Sequence, residues 1–291
     1  MSISLFYKNL TIIDYAYFDK ERGVTGDSLI ANVELVGMPD QEGIIFDFSK
    51  AKKAVKNIID DICDHRFVLP EGLAQKNGES FQLEFSFGAD NKSLFYSGPL
   101  EALCEIPNSS ISKNNISSFL EKAILEKMPP NIDAVKIHLE EQYIPKNKAF
   151  YHYTHGLRDH FGNCQRLFHG HKNVVDVLVN GKERPDLEAW ISQELVKGSI
   201  HFCFSENVTN IPNIPTGICS EHELIEIQYK SSQGQFKACL PGSMVYVMDT
   251  ETTVENISLH LAKVIQNRIG SEERVELVAY EGIAKGAISR L

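Results

Sequence analysis

The order of structural signals along this chain recurs, and the recurrence restricts it to folds that can be built twice. Residues 5–18 and 25–37 read as strands, the second with period-2 alternation. A helix opens at Asp47-Phe48-Ser49 and runs to about Asp61. Ala51, Ala54, Val55, Ile58, Ile59 and Ile62 fall on one face, and Asp47 or Ser49 caps the start. Strands over 80–87 and 93–106 follow, then a helix over 112–127 that stops before Pro129-Pro130, then a strand over 134–140. The polar segment from Tyr143 to Lys148 reads as a linker. Beyond it come strands over 149–157 and 169–180, a helix over 186–197, His201, strands over 223–230 and 235–249, a helix over 253–268 and a strand over 275–281. Gly26 pairs with Gly170, His65 with His201, Asn114 with Glu255 and Glu140 with Glu281, all at spacings of roughly 140 residues. The expected organisation is two α+β units, residues 1–143 and 147–291.

The second unit carries the chemistry. Of ten histidines, His152, His155, His160, His169 and His171 lie within twenty residues, and none precedes His65. His169-Gly170-His171 begins a strand, so both imidazoles point to one face. His155 lies near the end of the antiparallel neighbour. Three imidazoles plus an open fourth position is the donor pattern of a catalytic Zn2+ site. His152 and His160 are rival ligands; parity turns His152 to the other face and His160 lies in a loop. Histidines paired to carboxylates on a sheet are the plain structural alternative. The first unit has Thr25-Gly26-Asp27 where the second has His169-Gly170-His171, and its upstream strand offers Asp14, Tyr15 and Ala16. One carboxylate does not hold zinc.

Charge and composition narrow the function classes. Twenty-nine basic against 39 acidic residues give a net charge of −10, which argues against a nucleic-acid partner. No apolar run approaches the ~20 residues of a membrane helix, and no charged n-region with an apolar h-region is read at the N-terminus. Six cysteines without CxxC spacing suit reduced thiols, and the expected location is cytoplasmic. Open sheet edges favour a homo-oligomer.

The segment His155-Gly156-Leu157 … Cys164-Gln165-Arg166-Leu167-Phe168-His169-Gly170-His171 resembles the 6-pyruvoyl-tetrahydropterin synthase / 6-carboxytetrahydropterin synthase family. There a strand-end His and a Cys precede an HGH that opens the second strand. Gly43-Ile44-Ile45-Phe46-Asp47-Phe48 … Cys63-Asp64-His65 is similar to that family's helix and Asp-His turn. Thr252-Thr253-Val254-Glu255-Asn256 is similar to its P-T-x-E-N helix start, and Val278-Ala279-Tyr280-Glu281 to its late strand. The resemblance implies tandem tunnelling-fold (T-fold) domains, each an antiparallel sheet with two helices on one face. It implies sites at seams between units, 7,8-dihydroneopterin triphosphate as substrate, and zinc on the hydroxyls of its side chain. It also implies a Cys164 thiolate that moves a proton, an Asp-His pair opposite it, a pterin-anchoring Glu281, and Thr253 and Glu255 as substrate-binding residues. By that inheritance, six units would be three chains.

The departures from the family pattern are complementary. The second unit has Cys164, the three His ligands and Glu281, but Ile200-His201 where the family has Asp-His. The first has Asp64-His65 but no zinc ligands, and Asn114 in place of Glu255. One composite site per domain pair is the expectation, with His201 alone as the alternative relay. Zinc lowers the pKa of a coordinated hydroxyl. A nearby metal or imidazolium favours the Cys164 thiolate, Asp64 orients His65, and Glu281 can accept two N–H bonds from a pterin edge. Arg158, Arg166 and Lys172 are the local cations for a triphosphate. The leading reading is 6-carboxytetrahydropterin synthase of the queuosine (7-deazaguanine) route. The rivals are 6-pyruvoyl-tetrahydropterin formation and a non-catalytic T-fold protein that binds a pterin or purine. The nitrile reductase of the same fold is disfavoured by the His cluster.

Overall fold

The computed structural model describes residues 3–108 and 110–291. The first half runs β1 (Ile3–Asp19), β2 (Gly23–Gly37), α1 (Phe48–Ile62), β3 (Phe67–Pro70), β4 (Gln75–Asn77), β5 (Ser80–Phe87), β6 (Lys92–Pro99), β7 (Leu103–Ile106), α2 (Lys113–Leu125) and β8 (Ile132–Glu141). The second half runs β9 (Phe150–His155), β10 (His169–Val179), β11 (Lys182–Glu183), α3 (Pro185–Trp190), β12 (Ser199–Phe204) and β13 (Gly217–Ile218). It continues with β14 (Leu224–Ser231), β15 (Gly234–Pro241), β16 (Val245–Met248), α4 (Val254–Ile269), β17 (Val275–Tyr280) and β18 (Gly286–Arg290).

Local chemistry sets the helices. Asp47 accepts from Lys50 N at 2.9 Å and caps α1, whose buried Ala51, Val55, Ile58 and Ile59 repeat at helical spacing. Thr253 caps α4 by accepting from Asn256 N at 3.3 Å, and Gly270 at φ +117° ends it. α1 and α2 share one apolar core with β1, β2 and β8, and α3 and α4 share another with β9, β10 and β17.

The two halves build sheets with one strand order, β7-β3-β1-β2-β8 and β16-β12-β9-β10-β17, the latter extended by β13 and β18. Neither is wholly antiparallel, which corrects the expectation. β3 runs parallel to β1 and β7, and β12 runs parallel to β9 and β16. α1 carries the chain from β2 to the far side of β1, and the connection after β10 carries it to the far side of β9, so β3 and β12 enter opposed to β2 and β10 and hence parallel to β1 and β9. The strands expected over 93–106 and 235–249 also divide. A single 3-10 turn, Leu100–Ala102 or Gly242–Met244, breaks each one just after Pro99 or Pro241. Proline cannot donate to a ladder, so pairing stops there and the chain turns back to its own sheet. The freed hairpins from both halves then join in a third sheet, β14-β15-β6-β5-β4, with Ala238 opposite Tyr96.

Register corrects two of the pairings drawn from spacing. Ala16 and Thr154 lie opposite Gly26 and Gly170, and their parallel neighbours are Phe67 and His201. His201 therefore corresponds to the core residue Phe67 and not to His65. Ala31 and Val175 pair with Leu139 and Ala279, so the counterpart of Glu281 is Glu141, not Glu140.

The halves meet where Gly26 faces Gly170. A Cβ on Gly170 would stand 2.6 Å from Gly26 Cα, and one on Gly26 would stand 2.9 Å from Gly170 Cα, so no side chain fits at either position. Gly26→Ala should cost about 1–3 kcal/mol through forced separation of the backbones, read as a lowered urea midpoint. His152 crosses the same seam, its Nδ1 2.6 Å from Gly26 O. Burial holds this imidazole down at about 4. The unfolded chain titrates near ~6.5, so between those values protons bind preferentially to the unfolded state. His152 thus contributes stability above about pH 6.5 that is lost as pH falls through about 4. Thermal unfolding should show that acid limb, and His152→Gln should flatten it.

Candidate metal centre and active site

β9 and β10 pair so that His155 lies directly opposite His169, with His171 two residues further along the same face. All three side chains are fully buried. One ligand atom from each, with one from Glu281, lies within 4.8 Å of all the others. Glu281 Oε1 stands 3.9 Å from His155 Nε2 and 4.0 Å from His171 Nε2. His155 Nδ1 is held by Thr252 O at 2.6 Å, which leaves Nε2 for the cluster. That Nε2, both nitrogens of His169 and both of His171 are buried without a hydrogen-bond partner. Burial holds His155 and His169 well below the usual imidazole range, so they are neutral donors. Buried polar atoms are almost always paired. Three rings that each keep an unpaired nitrogen, one donor apiece, beside a carboxylate form a donor set that suits a zinc-like cation.

The first half reaches this cluster from across the seam. Asp64 and His65 sit in the turn between α1 and β3. His65 adopts φ +57°, a conformation rarely used outside glycine. β1 fixes the turn: His65 N donates to Asp14 O at 2.7 Å, and Asp14 N donates to Asp64 Oδ1 at 2.8 Å. His65 Nδ1 lies 2.6 Å from Asp64 Oδ2. Its ring stacks on His169 at 3.9 Å between centroids, and His65, Cys164 and His169 offer atoms within 4.8 Å of one another. Burial alone would lower the His65 pKa, but Asp64 and Cys164 raise it to about 10.

The Cys164 loop is held by the β14–β15 hairpin. Gln165 O accepts from Tyr229 Oη at 2.7 Å, and Gln165 Oε1 accepts from Ser232 N and Oγ, each at 2.9 Å. Gln233 donates to Asn163 Oδ1 at 2.9 Å and accepts from Arg166 Nε at 3.1 Å. Arg166 Nη1 in turn reaches Asp64 O and His65 O, each at 3.4 Å.

Several expected site residues stand elsewhere. His201 is in neither cluster; it is buried, pairs with Thr154 Oγ1 at 2.9 Å, and burial lowers it to about 3. Its register position turns it into the core, and no carboxylate pairs with it among the described residues. Thr253 is the α4 cap, and Glu255 is exposed in the first turn of that helix. Glu281 faces the imidazoles, where a fourth ligand would stand. His152 is committed to the seam, and His160 is exposed with Nδ1 2.6 Å from Phe161 O. The three expected phosphate cations are engaged: Arg158 with Asp159, Glu206 and Glu251, Lys172 with Glu141, and Arg166 with the backbone of the relay turn. The sequence assigns Asp14 no role beside a ligand, and it does not mark the Thr252 carbonyl or the Gln165 and Gln233 contacts at all. All depend on contacts between distant segments, and no local pattern marks them.

The fold and this cluster define a mixed α/β protein with a buried imidazole–carboxylate centre completed across an internal seam. Residues 143–289 match the family model described as 6-pyruvoyl tetrahydropterin synthase, and the chain belongs to that family. A curated relative, 6-carboxy-5,6,7,8-tetrahydropterin synthase of Rickettsia bellii (strain RML369-C), is 29% identical over 107 residues, 37% of this chain and 68% of that one. Among solved structures, 6-pyruvoyl tetrahydropterin synthase from Plasmodium vivax is 20% identical with a TM-score of 0.39, covering 49% of this chain and 93% of that one. The Plasmodium falciparum protein is 19% identical with a TM-score of 0.36, covering 49% and 99%.

Proposed function

We propose that the chain is a zinc-dependent pterin synthase acting on 7,8-dihydroneopterin triphosphate, with one composite site per chain. Two T-fold units, residues 1–143 and 147–291, would divide the work. The supporting observation is the convergence of Cys164 and Asp64-His65 on the His155, His169 and His171 cluster, with both halves contributing. Zinc held by the three imidazoles would supply Lewis acidity toward the substrate's side-chain hydroxyls. Cys164 is placed to take a proton from the substrate side chain. His65, with Nδ1 committed to Asp64, presents Nε2 to return one, and Asp64 fixes its tautomer. Glu281, at the rim of the cluster, is placed to receive a polar ring edge or to complete the ligand set. The seam shields these groups from water, which strengthens each charge interaction.

The product is the finer question. The carboxy-forming reading, in the queuosine route, agrees with the name of the curated relative, and the pyruvoyl-forming reading with that of the family model. The exposed edges of the sheets support a homo-oligomer, with three chains as the inherited expectation. Incubation of the zinc-loaded protein with 7,8-dihydroneopterin triphosphate, followed by mass analysis, tests the proposal. A 6-carboxy- or 6-pyruvoyl-tetrahydropterin supports it and chooses the branch. An unchanged substrate, with zinc bound, would favour the non-catalytic binding protein.

A further inference from the structure

The geometry points to Asp14 as a positioning residue for the metal centre: the first half orients the ligand His171 through this carboxylate, in addition to supplying the Asp64-His65 pair. The inference rests on reading the imidazole cluster as a metal site and is independent of the pterin substrate.

Asp14 lies on β1, and only 2% of it is exposed. Its Oδ1 stands 3.2 Å from His171 Nδ1, while His171 Nε2 faces the cluster beside Glu281. A ligand imidazole needs its second nitrogen anchored, because that fixes both tautomer and ring direction. His155 obtains its anchor from the Thr252 carbonyl, within the second half. Among the described residues, the anchor facing His171 Nδ1 comes from the other half of the chain. At its present angle the contact is an ion-pair distance and not a hydrogen bond. Histidine χ2 is a broad torsion, so ring rotation at this 3.2 Å separation is the motion that would bring Nδ1–H onto Oδ1.

The surroundings of the carboxylate are built to keep it there. Ser28 Oγ donates to Oδ1 at 2.5 Å, and Lys285 Nζ lies 3.2 Å from Oδ2. Gly282, at φ +74°, follows Glu281; a Cβ there would stand 2.8 Å from Asp14 Oδ2. The turn that carries Glu281 therefore has no side chain at the point where the carboxylate passes. Asp14 also carries the backbone N–H and C=O that hold Asp64 and His65. One residue thus links the direction of a metal ligand to the position of the proton-moving pair.

The test is zinc affinity of the full chain, measured by competition with a chromophoric chelator in the absence of substrate. Asp14→Asn should weaken zinc binding by about 10–100-fold, the range for loss of an outer carboxylate partner. Lys136→Met, at an exposed cation paired with Glu34 and outside the cluster, should stay within about threefold of wild type. Equal affinity for Asp14→Asn and wild type overturns the proposal, as does an equal loss in Lys136→Met. If Asp14→Asn does not fold, the wild-type protein still decides the matter. In 15N-histidine-labelled, zinc-loaded protein, His171 should be protonated at Nδ1 and ligated through Nε2, and ligation through Nδ1 overturns the proposal. No zinc binding by wild type would overturn the metal-centre reading itself, whereas zinc binding without pterin turnover would leave this inference standing.

Discussion

Cys164→Ala should keep the fold and the bound zinc while turnover of 7,8-dihydroneopterin triphosphate falls by about 10²–10⁴-fold, the usual contribution of a positioned proton-transfer group. The thiol sits on a one-turn 3-10 segment, half-buried, beside the stacked rings of His65 and His169. Its loop is held by Gln165 and Gln233, so removing Sγ leaves the lattice intact. Zinc content of the variant separates a chemical role from a ligand role. Retained zinc with lost turnover fits the proton-transfer role. Zinc lost together with the thiol would make Cys164 a ligand and remove it from the proposed chemistry.

Asp64→Asn should lower turnover by a similar ~10²–10⁴-fold without loss of zinc. The amide keeps the shape of the turn but cannot stabilise a charged His65, whose raised pKa depends on this carboxylate. The pH–rate profile of the residual activity should shift toward acid. The structure places Asp64, His65 and Cys164 of a single chain together. Co-refolding Asp64→Asn chains with Cys164→Ala chains should therefore restore no activity. Recovered turnover would mean that the pair serves a neighbouring chain.

The legibility of this site followed the range of the interactions that make it. His169 and His171 could be read because strand parity is local, and Asp64-His65 because the two are adjacent. The seam could not be read: Gly26 and Gly170 were visible as repeat partners, but nothing in either segment says that they touch. His201 misled for the same reason. Spacing pairs it with His65, but the intervening segment is shorter in the second half, and register sets it opposite Thr154 as Phe67 is set opposite Ala16, two positions beyond His65. A lone carboxylate such as Asp14 cannot hold an ion, and its contact with a ligand on another strand has no local signature. The shared sheet had no local signal either. Both hairpins alternate as ordinary strands, and edge pairing between distant hairpins leaves no mark in sequence.

That shared sheet governs how freely the halves can drift apart. β6 and β15 each cover the other's edge, so deletion of either half would bare a ladder of unpaired backbone groups on the one that remains. Side chains can differ between the halves wherever one supplies what the other lacks, as the Asp64-His65 pair of the first and the three imidazoles of the second do. The backbone has no such freedom, because each hairpin's edge is the other's partner, and the two halves are thereby bound to fold, and to be inherited, together.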